Sequence, residues 1–335
     1  MPSLTSSRAE GVLLPDPELD ARIGVSMGEV EDLLRRSVVS DYPFVTSAAR
    51  HLVDAGGKRF RPLVTLLAAQ FAGPQEPGVV PSAVVVELTH LATLYHDDVM
   101  DEAPLRRGAA SANARWDNTV AILTGDFLFA RASDLLADLG PEAVRIQART
   151  FERLCTGQIR ETVGPGDGED PIGHHVSVLA DKTGSLIATA GRFGAMMSGA
   201  DEATIETLAT FGERIGVAFQ LADDLVDIGS DPAQSGKTPG TDLREGVATL
   251  AVLYARTSQD PADARLLELT AGPIEDDAEH AEALALLRAH PAMGRAREEA
   301  HRWADEARCA LAPLPDGSAR KALEMLCDYV VDRTG

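Results

Sequence analysis

Two stretches of this chain carry the same arrangement of acids behind the same kind of apolar run, and that repetition limits the possible folds more than any other feature. Residues 87–108, ELTHLATLYHDDVMDEAPLRRG, gather His90, the acids Asp97, Asp98 and Asp101 and the bases Arg106 and Arg107 within about six helical turns. Val84, Val85, Leu88, Leu91 and Leu94 recur at three- and four-residue intervals, which predicts a helix. On a helix Asp97 and Asp101 stand at i and i+4, so both carboxylates point the same way, one turn apart. Two like charges so placed cost stability unless a cation sits between them. A hard divalent cation such as Mg²⁺ suits them, since it takes one or two carboxylates together with substrate phosphates. Taken once, the pattern is equally that of a solvated acidic helix end. The second copy weighs against that reading: Asp223, Asp224 and Asp227 repeat the spacing after the run Ile215, Val217, Ala218 and Phe219, and Asp223 and Asp227 again share a face. Two helices each ending in paired carboxylates make a clamp for several metal ions around one polyanion.

Composition agrees with a helical chain. Among 335 residues 44% are apolar, ample for a large core, while aromatics are only 4% and β-branched runs are short, so an all-α protein is expected. A net charge of −21 argues against nucleic acid or an anionic membrane as the main partner. It also looks wrong for binding a polyanion, but bound Mg²⁺ reverses the local field and several bases lie beside the acid motifs. Cys155, Cys309 and Cys327 are odd in number and widely spaced, with neither metal-ligand spacing nor a disulfide framework, which points to a reducing cytoplasm. The N-terminal residues have no apolar signal region, and no run approaches the roughly 20 apolar residues of a membrane helix, so at most peripheral membrane contact is expected.

In chain order, residues 1–20 read as a loose arm rich in Ser, Pro, Gly and acid. Helices are expected over 27–37, with Val30, Leu33 and Leu34 inward, and over 45–54, stopping at Gly56 and Gly57. The basic run Lys58-Arg59-Phe60-Arg61 then meets Pro62 in the first turn of a helix over 63–71, so the cluster sits where a helix N-terminus can hold an anion. The alternative is a merely solubilising turn. Further helices are expected over 120–137, 143–158 and 176–197, with a Gly/Pro/acid loop at 164–170. A long polar stretch, 229–246, has the composition of a lid or a disordered loop. From 248 to 333, amphipathic helices broken by Gly272-Pro273 and Pro291 carry no chemical motif and read as scaffold. No linker divides residues 21–335, which are taken as one domain.

Taken in this order and at these separations, the motifs resemble those of the trans-isoprenyl diphosphate synthases of the polyprenyl synthetase family, from Gly56 to Arg333. The resemblance implies an isoprenoid-synthase-type helical bundle around a central apolar cavity, working as a cytoplasmic homodimer. It also implies Mg²⁺-dependent head-to-tail condensation of isopentenyl diphosphate with an allylic diphosphate, the departing diphosphate accepting the proton. Asp97, Asp101 and Asp223 would hold three Mg²⁺ ions, and Asp98, Asp224 and Asp227 complete the catalytic acids. Lys58, Arg61, His90 and Arg107 would hold the isopentenyl diphosphate. Arg106, Lys182, Thr183 and Gln220 would hold the allylic one, and Lys237, on the 229–246 loop, would reach the leaving group. The chain departs from the family pattern at Val247, where a lysine is common, and at Thr249-Leu250-Ala251, where many members read TLP. Ala92 and Thr93, five and four residues before Asp97, occupy positions where bulky aromatics floor the pocket of short-chain members. Both are small here, which implies a product beyond geranylgeranyl, heptaprenyl to decaprenyl; a farnesyl or geranylgeranyl synthase is the alternative. Two rivals remain: a terpene cyclase, which lacks the second aspartate motif and the basic turn, and a non-catalytic subunit, which typically loses motif aspartates.

Overall fold

A computed structural model describes residues 14, 16–73, 76–229 and 239–332. These are almost wholly helical: α1 (Pro17–Ser37), α2 (Pro43–Asp54), α3 (Phe60–Ala68), α4 (Val79–Met100), α5 (Ala112–Arg115), α6 (Asn118–Leu139), α7 (Pro141–Val163), α8 (Pro171–Leu179), α9 (Ser185–Met197), α10 (Glu202–Gly229), α11 (Thr241–Glu245), α12 (Leu250–Ala255), α13 (Ala264–Leu269), α14 (Asp277–Ala289), α15 (Pro291–Ala310) and α16 (Ser318–Val331). The expected all-α class holds. One small antiparallel ribbon joins it, β1 (Leu105–Arg106) with β2 (Ala109–Ala110), in the register Arg106 opposite Ala109. None of the described helices is long and apolar enough to cross a membrane.

Two compact units form, each from separated stretches of chain. The first takes the described residues up to Phe151, with Leu186–Gly212 and Leu311–Leu323. Its centre is α4, which packs most extensively on α6 and also meets α1 and α3. From Ser82 to Thr89 every residue of α4 is buried, so this half of the helix is enclosed on all sides rather than on one stripe. Complete burial of Leu88 and Leu91 stabilises the unit by roughly 1.5–3 kcal/mol each, and Leu88→Ala would forfeit that and leave a cavity. The polar residues inside this stretch are satisfied locally: Ser82 donates to the Val79 carbonyl at 2.8 Å and Thr89 to that of Val85 at 2.9 Å. Tyr95 ties α4 to α2, donating to the Ala48 carbonyl at 2.6 Å and accepting from the Leu52 amide at 3.2 Å. Gly194 lets α9 lie against α3, because a Cβ there would fall 2.0 Å from the Thr65 carbonyl oxygen.

The second unit comprises Glu152–Ser185, Glu213–Ala310 and the chain from Glu324 onward. Here α12 packs on α15 and α8, and α13 on α14. Its helices are capped as their sequences suggest. Asp170 accepts from the amides of Ile172 and Gly173 ahead of Pro171, so the 164–170 loop ends in a helix start, and Asp276 does the same for Ala278 and Glu279.

Several boundaries differ from the sequence expectation. α1 begins at Pro17, within the stretch expected to be a loose arm, because the Asp16 carboxylate accepts from the Glu18 amide at 2.8 Å and Pro17 sits at the first helical position. The helix expected from Leu63 begins at Phe60. The one expected over 176–197 is interrupted: residues Ala180–Gly184 form a π-helical segment between α8 and α9. Part of the 229–246 loop is the short helix α11.

Candidate active site

In the first unit the acid motif closes α4. Asp101 follows its last residue and donates its amide to the Asp97 carbonyl at 2.8 Å, so the helical spacing of Asp97 and Asp101 is kept. Asp98, between them, has 0% exposure, and its Oδ1 accepts from Arg106 Nε at 2.5 Å. Burial pushes its carboxyl upward, opposed by the charge and hydrogen bond of Arg106. Its Oδ2 has no hydrogen-bond partner among the described residues. The Asp98 carbonyl also accepts from Asn113 Nδ2 at 2.9 Å, which anchors the returning chain. Arg106 reaches that position from β1, and the turn after it is built from Arg107 and Gly108 with φ of 53° and 77°. A two-residue hairpin loop with both φ values positive has the twist of the strands it joins. Its shortness hid it from the sequence, where it read as a polar connection.

Beside this lies the basic turn. Arg59, at φ 47°, caps α3 in the left-handed region. Together with Glu102 and Arg107 it makes up the non-glycine residues of positive φ among the described residues, and all three flank the first acid motif or the basic turn. Backbone strain concentrated in this way is characteristic of functional sites. Arg107 donates to the Leu52 carbonyl at 3.0 Å and to that of Gly56, and its guanidinium fills the space over Gly57, where a Cβ would meet its Cζ at 2.8 Å. Burial lowers Arg61 to about 10, with Glu87 opposing and Arg107 reinforcing the shift. His90 is held well below the usual imidazole range, first by burial and then by the guanidiniums of Arg61, Arg107, Arg59 and Arg106, so it is neutral at physiological pH. Lys58 stands exposed on the same turn.

The second unit brings together another set. Lys182 and Thr183 lie in the π segment, a distortion that often marks functional positions in helices. Lys182 Nζ is 2.6 Å from Glu161, and Thr183 donates to Gln220 Oε1 at 3.1 Å. Gln220 in turn donates through Nε2 to Asp224 Oδ1 at 3.0 Å, so its side chain links Thr183 to the second acid motif on α10. Burial, with Asp223, Glu161 and Asp227 nearby, raises Asp224 to about 7 despite that hydrogen bond. His175 Nε2 is 3.8 Å from Asp224 Oδ2, but burial lowers the imidazole to about 4, so the contact joins a neutral ring to the acid rather than an ion pair. Asp242, at the start of α11, donates its amide to Asp227 Oδ2 at 3.3 Å; burial and then the charges of Asp224, Asp227, Glu245 and Asp223 raise it to about 8.

Lys58, Arg61, His90, Asp97, Asp98, Asp101, Arg106 and Arg107 therefore come from the first unit, and Lys182, Thr183, Gln220, Asp223, Asp224 and Asp227 from the second. Lys237 lies outside the described residues. Of the two positions expected to set product length, Ala92 has no accessible surface, whereas Thr93 keeps some and donates its hydroxyl to the His90 carbonyl at 2.8 Å. The sequence reading missed Glu31, Glu87, Glu161, His175 and Asp242. For Asp242 a signal was present, an acid inside the polar stretch that follows the second motif; the others have no motif spacing to reveal them. The donor set fits a hard divalent ion, since the motif side chains are carboxylates and Asp224 and Asp242 gather like charge that burial makes costly. Among the described residues no three His, Cys, Asp or Glu side chains group so as to hold a metal ion.

Residues 42–287 match the polyprenyl synthetase family. Over 327 residues the chain is 52% identical to nonaprenyl diphosphate synthase of Mycobacterium tuberculosis (strain ATCC 25618 / H37Rv), with 97% of each chain covered. The crystal structure of geranylgeranyl pyrophosphate synthase from Corynebacterium glutamicum complexed with calcium and isoprenyl diphosphate has a TM-score of 0.86 at 48% identity, covering 97% of this chain and 100% of that one. That of a decaprenyl diphosphate synthase from Rhodobacter capsulatus has a TM-score of 0.86 at 36% identity, covering 95% and 99%. Likeness of this extent, on top of the acid motifs and the basic turn, leaves one assignment: the chain belongs to the polyprenyl synthetase family and is a prenyltransferase.

Proposed function

We propose that the chain condenses isopentenyl diphosphate head-to-tail with an allylic diphosphate to give an all-trans polyprenyl diphosphate. The observation that carries this reading is the presence, in one chain, of two complete aspartate motifs on helices together with the basic turn at 57–61. A cyclase has no need of a second diphosphate site, and a non-catalytic subunit has no need of six intact acids.

In the reaction the allylic C–O bond breaks heterolytically, diphosphate leaves with the electron pair, the double bond of isopentenyl diphosphate attacks the allylic cation, and the departing diphosphate takes the proton. Stabilising the leaving group is then the main task. Arg106 and Lys182 are held on Asp98 and Glu161 in the free chain, at 2.5 and 2.6 Å. In this reading diphosphate oxygens draw on the same charges, through charge-assisted hydrogen bonds. Thr183 and Gln220 orient that diphosphate, and Lys58, Arg61, Arg107 and neutral His90 hold the isopentenyl one. Mg²⁺, three ions held through Asp97, Asp101 and Asp223, would supply Lewis-acid charge to the leaving group; the Corynebacterium glutamicum protein complexed with calcium and isoprenyl diphosphate supports a divalent ion.

The product is longer than geranylgeranyl, in the heptaprenyl-to-decaprenyl range. Small residues at 92 and 93 support this, as does the nonaprenyl synthase at 52% identity. The geranylgeranyl synthase at 48% identity favours the shorter alternative. The protein acts as a cytoplasmic homodimer with residues 21–335 as its catalytic domain; exposed Ile122 and Leu123 on α6 offer apolar surface to a second copy. The test is incubation with Mg²⁺, labelled isopentenyl diphosphate and each short allylic starter, with product length read by chromatography. A single long product is expected. Products ending at geranylgeranyl would overturn the length assignment, and no incorporation with any starter would overturn the activity. Thr93→Phe is expected to shorten the product, and an unchanged distribution would remove position 93 from the floor.

A further inference from the structure

The basic turn contains two arginines with opposite fates. Arg59 has five N–H groups and five acceptors: Glu31 Oε1 at 2.5 Å, Glu31 Oε2 at 3.5 Å, Glu87 Oε1 at 2.9 Å, the Gly56 carbonyl at 3.3 Å and the Val53 carbonyl at 3.1 Å. Its side chain is 4% exposed. A guanidinium so enclosed has no donor left for a phosphate. Arg61, two residues on, has a buried Nε with no hydrogen-bond partner among the described residues. One arginine builds the turn and the other keeps binding capacity.

Glu87, on the enclosed half of α4, connects them. Its side chain is 2% exposed, and an ionised carboxylate at such depth persists only when paired. Its Oε1 lies 2.9 Å from Arg59 Nη1 and 4.0 Å from Arg107 Nη2. Both arginines also donate to the Gly56 carbonyl, so the start of the turn is held by two guanidiniums that share one carboxylate. Glu87 is moreover the leading counter-charge acting on Arg61. Glu31, from α1, holds the far side of Arg59 and is more exposed than Glu87.

We propose that Glu87 is a positioning residue for the isopentenyl diphosphate site, fixing Arg59 and Arg107 so that the turn presents Lys58 and Arg61 to the incoming diphosphate, with Glu31 as its weaker partner. The inference rests on the assignment of the basic turn to isopentenyl diphosphate. Removing the charge from Glu87 leaves two arginines competing for neutral acceptors, and the turn they hold loses its geometry without loss of a phosphate ligand.

The test is a steady-state comparison of Glu87→Gln, Glu31→Gln, Arg61→Ala and Leu208→Ala, the last a buried deletion on α10 far from the turn in sequence, with thermal midpoints measured for each. Glu87→Gln is expected to raise the KM for isopentenyl diphosphate about tenfold or more, as loss of an orienting partner commonly does. Its kcat and allylic KM should stay within about threefold, so that the effect is confined to one substrate. Glu31→Gln should shift the same KM in the same direction, by less. Leu208→Ala should lower the midpoint and leave both KM values unchanged, which separates positioning from general stability. If Arg61→Ala leaves the isopentenyl KM unchanged, the assignment of the turn fails. If Arg61→Ala raises it while Glu87→Gln and Glu31→Gln do not, the assignment stands and the positioning role is overturned. Should Glu87→Gln not fold, Glu31→Gln alone decides, since it loosens the same arginine from its exposed side.

Discussion

The two aspartate motifs share a spacing but not an environment, and the difference lies in the middle acid. Asp98 is fully buried and meets a cation, Arg106, at 2.5 Å. Asp224 accepts from a neutral amide, Gln220, at 3.0 Å, and burial, with other carboxylates nearby, pushes it to about 7. The outer acids keep the helical spacing in both copies. A repeated sequence pattern thus fixes the direction of the carboxylates along a helix, while the partner of the middle acid is one the spacing does not specify, Arg106 eight residues after Asp98 and Gln220 four residues before Asp224. The middle acid of the first motif is held by a guanidinium, that of the second by a neutral amide.

The largest test concerns what the motifs share. Asp97→Ala and Asp223→Ala should each lower kcat on the order of 10²- to 10³-fold, the scale of losing one electrostatic stabiliser of a leaving group. Steady-state rates at saturating substrates and Mg²⁺ check this, and a loss confined to one motif would break the equivalence of the outer acids. The next test concerns what they do not share. Asp98→Asn should destabilise the protein by about 1.5–3 kcal/mol, the scale of a hydrogen bond to a charged group, because it leaves Arg106 without its carboxylate. Asp224→Asn keeps the oxygen that Gln220 donates to, and should cost about 1 kcal/mol or less. Denaturant titration of the two variants decides, and equal losses would erase the contrast. The smallest effect is in acid. The folded state holds His90 well below its ordinary 6.5, so its contribution to stability is complete above that pH and is lost as pH falls toward the folded value. His90→Asn should therefore flatten the fall in thermal midpoint between about pH 6.5 and pH 5. A slope equal to that of the parent would mean that burial and the surrounding arginines do not hold its ionisation down.

Much of this was legible in the sequence because it is local. Asp97 with Asp101, Asp223 with Asp227, and the run from Lys58 to Pro62 each lie within a single turn or two, where spacing dictates direction. The cage around Arg59 was not legible, since Glu31 and Glu87 each stand 28 residues away from it and only the packing of α1 and α4 unites them. The ribbon at 105–110 was hidden by its size, two residues a strand, and the π segment at Ala180–Gly184 by having no residue-type signature of its own. The buried half of α4 showed as a helix by its period, but Ser82, Glu87 and Thr89 gave no sign that every face would be enclosed.

The left-handed conformation of Arg59 bears on how this protein can be engineered. Judged by backbone alone, position 59 belongs to glycine, and the arginine there carries a local cost of about 1–2 kcal/mol. A stabilisation scheme that scores each residue against its own φ and ψ would select Arg59→Gly and count it an improvement. That substitution would leave Glu87 only Arg107, at 4.0 Å, and would strip Glu31 Oε1 of its guanidinium, so the locally best choice is globally the wrong one. Sequence libraries built on this scaffold should hold residues 31, 59 and 87 fixed as a set and vary them only together.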